Sequence, residues 1–163
     1  MAPPPFQDFL DSHAGAVHRF LVAAVGPQEA EDCLQETLIA ALRAYPRLRE
    51  GSNLRAWALT IARRKAIDAH RARGRRPLPV EDVEPAVTGG RAPAGAAAPP
   101  SLDGDAGLWA AVRDLPPRQR AAVALRYAGD LTHRDVAGAI GCSEEAARRS
   151  VHEGLKRLRE VLA

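Results

Sequence analysis

The sequence predicts an all-α protein made of two small helical domains joined by a Pro/Gly/Ala-rich flexible linker, the second a four-helix domain with a helix-turn-helix. Three observations lead there. Hydrophobic residues make up 46% of the 163 but aromatics only 4%, and several of the apolar residues are alanine. That balance suits packed helices better than a sheet, whose faces need β-branched and aromatic side chains. Apolar residues recur at three- and four-residue intervals on both sides of the middle of the chain. Between them, residues 77–104 hold six prolines and four glycines, a composition that sustains neither a helix nor a sheet ladder and has too little bulk for a core. The expected division is therefore residues 1–76, a tether at 77–104, and residues 105–163.

In the first domain, Phe6, Phe9, Leu10, Val17, Phe20, Leu21 and Val25 form one apolar stripe. Gly26-Pro27 ends that helix, and Pro27 suits the first turn of the next. The second helix, about 28–45, carries Ala30, Cys33, Leu34, Thr37, Leu38, Ala41, Leu42 and Tyr45 inward and should stop before Pro46, because the residue preceding proline avoids the helical region. After the polar loop RLREGS a third helix, about 53–73, turns Leu54, Trp57, Ala58, Ile61 and Ala62 inward. A tryptophan on an apolar stripe is read here as core.

In the second domain, Leu108, Trp109 and Val112 belong to a short first helix, and Pro116-Pro117 opens the next. Thr132-His133-Arg134-Asp135 is a capping box: the threonine oxygen can accept from the Asp135 amide while the carboxylate reaches back. Gly141 fits the left-handed residue that ends a helix. Ser143 caps the final helix, whose first turn holds Glu144 and Glu145 at the positive end of the dipole.

The formal net charge of +3 hides an uneven distribution. Residues 1–76 carry 12 basic and 8 acidic side chains, residues 77–104 carry 1 and 4, and residues 105–163 carry 10 and 8. The run Arg63 to Arg76 sets seven basic residues against the single acid Asp68, a density that favours phosphate backbones but is also common on plain solvated faces. The start MAPPPFQDFLDSH has neither a basic n-region nor a long apolar run, and no stretch approaches a membrane span, so a cytoplasmic protein is expected. Cys33 and Cys142 have no CxxC spacing, and His13, His18, His70, His133 and His152 have no metal-ligand spacing. With no phosphate loop or nucleophile elbow, neither enzyme, metal site nor cofactor is expected.

Residues 132–158 have the shape of a helix-turn-helix, whose second helix enters the major groove. Its exposed positions would be Glu145, Arg148, Arg149 and His152, with Lys156 and Arg157 further along for phosphates. Arginine pairs bidentately with guanine O6 and N7, which marks Arg148 and Arg149 for base contacts. A basic helical hairpin with no nucleic acid would show the same pattern.

The stretch LPPRQRAAVALRYAGDLTHRDVAGAIGCSEEAARRSVHEGLKRLRE resembles the minus-35-reading domain of extracytoplasmic-function (group 4) sigma factors, of the sigma-70 family. AEDCLQETLIAALRAYPRL, followed by SNLRAWALTIARRKAIDAHRARGRRP, resembles the core of their amino-terminal domain. The resemblance implies a non-enzymatic protein that binds core RNA polymerase and promoter DNA, with an anti-sigma factor as a further partner it admits. It places core-polymerase binding on Asp32, Gln35, Glu36, Ile39 and Arg43, which lie at helical offsets on the face opposite the core stripe. It places minus-10 recognition and melting on Arg47, Asn53, Arg63, Arg64, Lys65 and Arg71. Minus-35 recognition falls to Glu145, Arg148, Arg149, His152 and Lys156. The chain departs from the pattern at Arg64, where the family often has asparagine, and over Ala146 to Ser150, where it commonly shows Thr-Val-Lys-Ser-Arg. Two other readings of the same residues are a stand-alone helix-turn-helix regulator that acts without polymerase and an interaction protein whose basic faces bind RNA or an acidic partner.

Overall fold

The structure, a computed structural model, describes residues 2–75 and 106–163, and those residues contain seven α-helices and no strand. The first half is built from α1 (Phe6–Val25), α2 (Pro27–Ala44) and α3 (Leu54–Arg75). The second is built from α4 (Ala106–Arg113), α5 (Pro117–Val123), α6 (His133–Ile140) and α7 (Glu144–Leu162), with one π-turn, Ala124–Ala128, continuing α5. The expected tether at 77–104 lies outside the described residues.

Sequence signals set the helix ends. Gly26, at φ +88°, breaks α1, and Pro27 opens α2 where its missing N–H is no loss. α2 stops at Ala44 and tightens into a 3₁₀ turn, Tyr45–Arg47, that takes in Pro46; Tyr45 keeps helical angles, φ −55° and ψ −42°, so the expected non-helical residue before the proline is not what ends the helix. Asn53 caps α3: its side-chain oxygen accepts from the Ala56 amide at 3.1 Å. The Thr132 oxygen accepts from the Asp135 amide at 3.2 Å, and the Thr132 hydroxyl donates to the Asp135 carboxylate at 2.9 Å. The carboxylate therefore reaches back to the hydroxyl, not to the backbone. Gly141, at φ 80° and ψ 44°, ends α6, and the amides of Gly141 and Cys142 both donate to the Ala137 carbonyl. Ser143 caps α7 through the Ala146 amide at 3.1 Å.

The core runs through both halves. At the end of α1, Phe20, Leu21, Val22, Ala23, Ala24 and Val25 are all buried, on every side of the helix. One side faces α2 and α3, and the other is covered by α4 and the π-turn. Arg113 of α4 donates to the Val22 carbonyl at 3.3 Å, placing a cation at the negative end of a helix that has no basic residue in its own last turn. Leu59 of α3 lies against Gly129, where an added Cβ would stand 2.9 Å from the leucine methyl. Polar contacts cross as well, from Arg55 to Asp130 at 3.1 Å and from Asn53 to Asp135 at 3.3 Å. At the other end of α1, Phe6, Phe9, Tyr45 and Trp57 pack ring against ring, with Phe9 edge-on to Trp57 at 5.6 Å. Trp57 is thus a packing residue at the margin of the core, half-buried.

Leu42 is not inward. It is 54% exposed, because it follows Ala41 by ~100° of helical rotation and Ala41 already sits at the centre of the buried face. Thr37 is fully buried, and its hydroxyl is satisfied by donating to the Cys33 carbonyl at 2.6 Å.

Burial pushes the Cys33 thiol up to about 11, with Glu29, Glu36 and Asp32 adding to it, whereas Cys142 is half-exposed. The thiolate is the reactive form. Alkylation of the native protein at pH 8 should therefore modify Cys142 and leave Cys33 intact until the chain unfolds, as mass spectrometry with and without denaturant would read. Equal rates at the two cysteines would contradict the burial of Cys33.

Candidate nucleic-acid interface

The final helix carries its chemistry on one side. Ala147, Ser150, Val151, Gly154 and Leu158 are buried against the rest of the second half, and Gly154 brings α7 so close to α5 that a Cβ there would meet a Val123 methyl at 2.7 Å. The opposite side presents Glu145, Arg148, Arg149, His152 and Lys156, all exposed. All five expected positions therefore share one face. Arg148 is held by Glu144 at 2.9 Å, and Arg149 lies 3.9 Å from Glu145, each one turn earlier. Exposed pairs of this kind are worth about 0.3–0.5 kcal/mol, so both guanidiniums can leave their partners for a stronger acceptor. Short α6 sits across α7 on its buried side, with Val136 and Ala137 at the contact and Gly141 making the turn. This is the geometry of a helix-turn-helix that offers the start of its second helix to a groove.

The other expected DNA residues divide. Arg47, Arg64 and Arg71 are exposed, on the 3₁₀ turn and along α3, and Lys65 is half-buried. Asn53 is exposed but occupied, since its amide oxygen caps α3 and its nitrogen donates to Asp135 of the second half. Arg63 is half-buried between the halves, its Nε enclosed with no hydrogen-bond partner. Desolvation, and then the charges of Arg64 and Arg118, depress its guanidinium below the usual arginine range. The six are not gathered into one pocket.

On α2, Asp32, Gln35, Glu36, Ile39 and Arg43 all face solvent. Ile39 is 50% exposed and Leu42 lies beside it, so this face carries two large apolar side chains within a charged frame. Leu42 is the residue that reading the stripe by spacing missed, and its place one residue beyond Ala41 was the available signal. Among the described residues, no group of three His, Cys, Asp or Glu side chains could hold a metal, and no helix is long and apolar enough to cross a membrane.

Comparison with known proteins follows the same division of the chain. Residues 9–76 match the family model for sigma-70 region 2, and residues 106–158 match that for sigma-70 region 4. Over 162 residues the chain is 32% identical to the RNA polymerase sigma factor CarQ of Myxococcus xanthus, covering 99% of this chain and 91% of that protein. The chain belongs to the sigma-70 family. Within it, the ECF RNA polymerase sigma factor SigE of Mycolicibacterium smegmatis is 32% identical over 99% of this chain, which spans 63% of the length of that relative. The fold is that of a solved sigma factor, RpoE in complex with the anti-sigma factor NepR from Bartonella quintana, with a TM-score of 0.73, 25% identity and 96% of each chain covered. Both halves of this ECF sigma factor are therefore superimposed together, in one arrangement.

The caps and the exposed arginines should separate in a stability measurement. Thr132→Ala removes a cap and should lower stability by about 1 kcal/mol, whereas Arg148→Ala should change it by no more than about 0.5 kcal/mol. Chemical denaturation of the two variants checks this. A loss at Arg148 equal to that at Thr132 would make Arg148 a structural residue.

Proposed function

We propose that this chain is a non-enzymatic sigma factor that binds core RNA polymerase and directs promoter-specific initiation. The observation that carries the reading is the match to regions 2 and 4, in order, on a fold whose final helix turns five polar and basic side chains outward on one face. In this reading α7 enters the minus-35 major groove, with Arg148 and Arg149 reading bases and Lys156 holding phosphate. The loop before α3 and the basic side of α3, with Arg47, Asn53, Arg63, Arg64, Lys65 and Arg71, engage the minus-10 element and the displaced strand. The α2 face of Asp32, Gln35, Glu36, Ile39 and Arg43, extended by Leu42, docks on polymerase. Charge gives that contact its orientation, while two exposed apolar side chains supply area to bury. The similarity to a sigma factor solved with an anti-sigma factor supports a partner of that kind here, and the protein acts in the cytoplasm, where polymerase is.

Two experiments test these assignments. Asp32→Ala combined with Glu36→Ala should leave folding near normal, because both side chains are exposed. Interface energy concentrates in a few residues, each costing roughly 2 kcal/mol or more when truncated. The double variant should therefore lose core-polymerase binding and promoter-dependent transcription in a reconstituted assay, and Leu42→Ala should weaken the same binding. Normal transcription by the double variant would defeat the mechanism and favour a regulator that works without polymerase. On DNA, Arg148→Ala or Arg149→Ala should reduce discrimination between promoter and non-promoter duplex by about 1–3 kcal/mol. Lys156→Ala should weaken binding evenly across sequences and flatten its salt dependence. The same sequence-independent loss in all three would remove the base-reading role from both arginines.

A further inference from the structure

Between the two halves lies a cavity of about 550 Å³, within the range of small-molecule sites. Its apolar lining includes Phe20 of α1, Ile67 of α3, Ala121 of α5 and Ile140 of α6. Its polar lining is entirely cationic or imidazole: Arg63, His70 and Arg71 from α3, Arg118 and Arg120 from α5. No aspartate or glutamate lines it, although the protein has 20 acids. Arg120 has one donor committed to the Arg113 carbonyl, and His70 Nε2 donates to the Ala24 carbonyl at 3.2 Å. Arg63, Arg71 and Arg118 form no salt bridge among the described residues. The enclosed Arg63 Nε has no acceptor, and the charge of Arg118, an exposed residue of the other half, adds to that of Arg64 against Arg63.

A buried donor without an acceptor is destabilising, and here that donor is the Nε of half-buried Arg63. A cavity that converges several arginines over an apolar floor lacks one component, an anion with an apolar body. We propose that this cavity binds a small amphipathic anion, an acyl or aryl body bearing a carboxylate or a phosphate, with Arg63 and Arg118 on the anionic head and Phe20, Ile67, Ala121 and Ile140 around the apolar part. Carboxylate and phosphate share the needed geometry, since a guanidinium fork pairs with either through two parallel hydrogen bonds. The fit of both features at once separates this site from the basic face of α7, which has the cations without the floor. Because the lining comes from both halves, the ligand stabilises their packed arrangement by mass action. The same ligand then holds Arg63 and Arg71 away from DNA. The binding claim stands apart from the polymerase reading, because it is read directly and without transcription.

The test uses the full chain and three single-tailed probes below their micellar range, octanoate, octyl phosphate and uncharged octyl glucoside, with inorganic phosphate as the tail-less control. Calorimetry should find one site per chain for octanoate or octyl phosphate, at least about tenfold tighter than for octyl glucoside or inorganic phosphate. The tighter of the two anions identifies the head group. Arg118→Gln, which lies outside the proposed DNA contacts, should weaken binding about tenfold while leaving the thermal midpoint of the free protein unchanged. Ala121→Trp, which fills the cavity, should abolish binding; if that variant does not fold, Arg118→Gln alone decides. Equal affinity for charged and uncharged probes would overturn the proposal, as would several weak sites per chain or unchanged binding by Arg118→Gln. An amphipathic Leu/Glu helical peptide that bound more tightly than either anion, with the same sensitivity to Ala121→Trp, would give the cavity to a protein partner and likewise overturn the small-ligand assignment.

Discussion

The arrangement of this molecule depends on the last two turns of α1. A surface helix shows one apolar stripe, and a helix that is apolar on all sides must be enclosed on all sides. The segment Leu21-Val22-Ala23-Ala24-Val25 has no polar side chain to turn toward water, and every residue in it is buried. Helices α2 and α3 can cover only one side of it. The other side needs α4 and the π-turn, which come from beyond the linker, so one apolar run ties together halves that each have their own fold. Arg113 reinforces the join by donating at 3.3 Å to the Val22 carbonyl, which also accepts from the Gly26 amide that caps α1. Alanines at 23 and 24 keep that side flat enough for another element to approach closely.

Against this apolar join, the polar bridges between the halves contribute little. The pair Arg55–Asp130 is exposed on the aspartate side and solvated, and such pairs are typically worth about 0–1 kcal/mol. The bridge from Asn53 to Asp135 is exposed as well. These contacts give the join direction while burial supplies most of its strength. The distribution of cations follows the same division: Arg148 and Arg149 on α7 are in water with carboxylates one turn away, whereas Arg63 of α3 and Arg120 of α5 are half-buried at the cavity and form no salt bridge among the described residues. Similar residue types thus occupy two different electrostatic environments, one suited to a highly charged polymer in solvent and the other to a small enclosed group.

Much of this was legible in the chain itself. Gly26-Pro27, Tyr45-Pro46, Pro116-Pro117, Thr132, Gly141 and Ser143 all marked helix ends, because caps and breakers act locally and need no tertiary partner. The face of α7 was legible because its small and apolar positions, Ala147, Val151, Gly154 and Leu158, left the charged side no alternative. Leu42 was misplaced because three-and-four spacing drifts around a helix, and only the position of Ala41 shows where the buried face ends. Burial of Val22 to Ala24 was missed because the apolar stripe was drawn for one partner surface when there are two. The π-turn after α5 had no local signature. Nor did spacing identify Gly154, on α7, as the point where the lack of a side chain lets α7 and α5 touch. The separation of Asn53 and Arg63 from the exposed arginines of α3 was also hidden, since both depend on how the second half sits.

Asn53 and Thr132 begin helices in different halves, yet their side chains are joined through the Asp135 carboxylate in one chain of hydrogen bonds. The Asn53 oxygen holds the first turn of α3, its nitrogen holds the Asp135 carboxylate, and that carboxylate accepts from the Thr132 hydroxyl at the start of α6. Two helix starts that are 82 residues apart, counted from Asn53 to Asp135, therefore form one unit of epistasis. A substitution at any of the three alters the worth of the other two, so their energies should fail to add. In descendants of this sequence the three positions are expected to drift as a set, and a family tree of the chain would record the joining of its halves as covariation among a threonine, an aspartate and an asparagine.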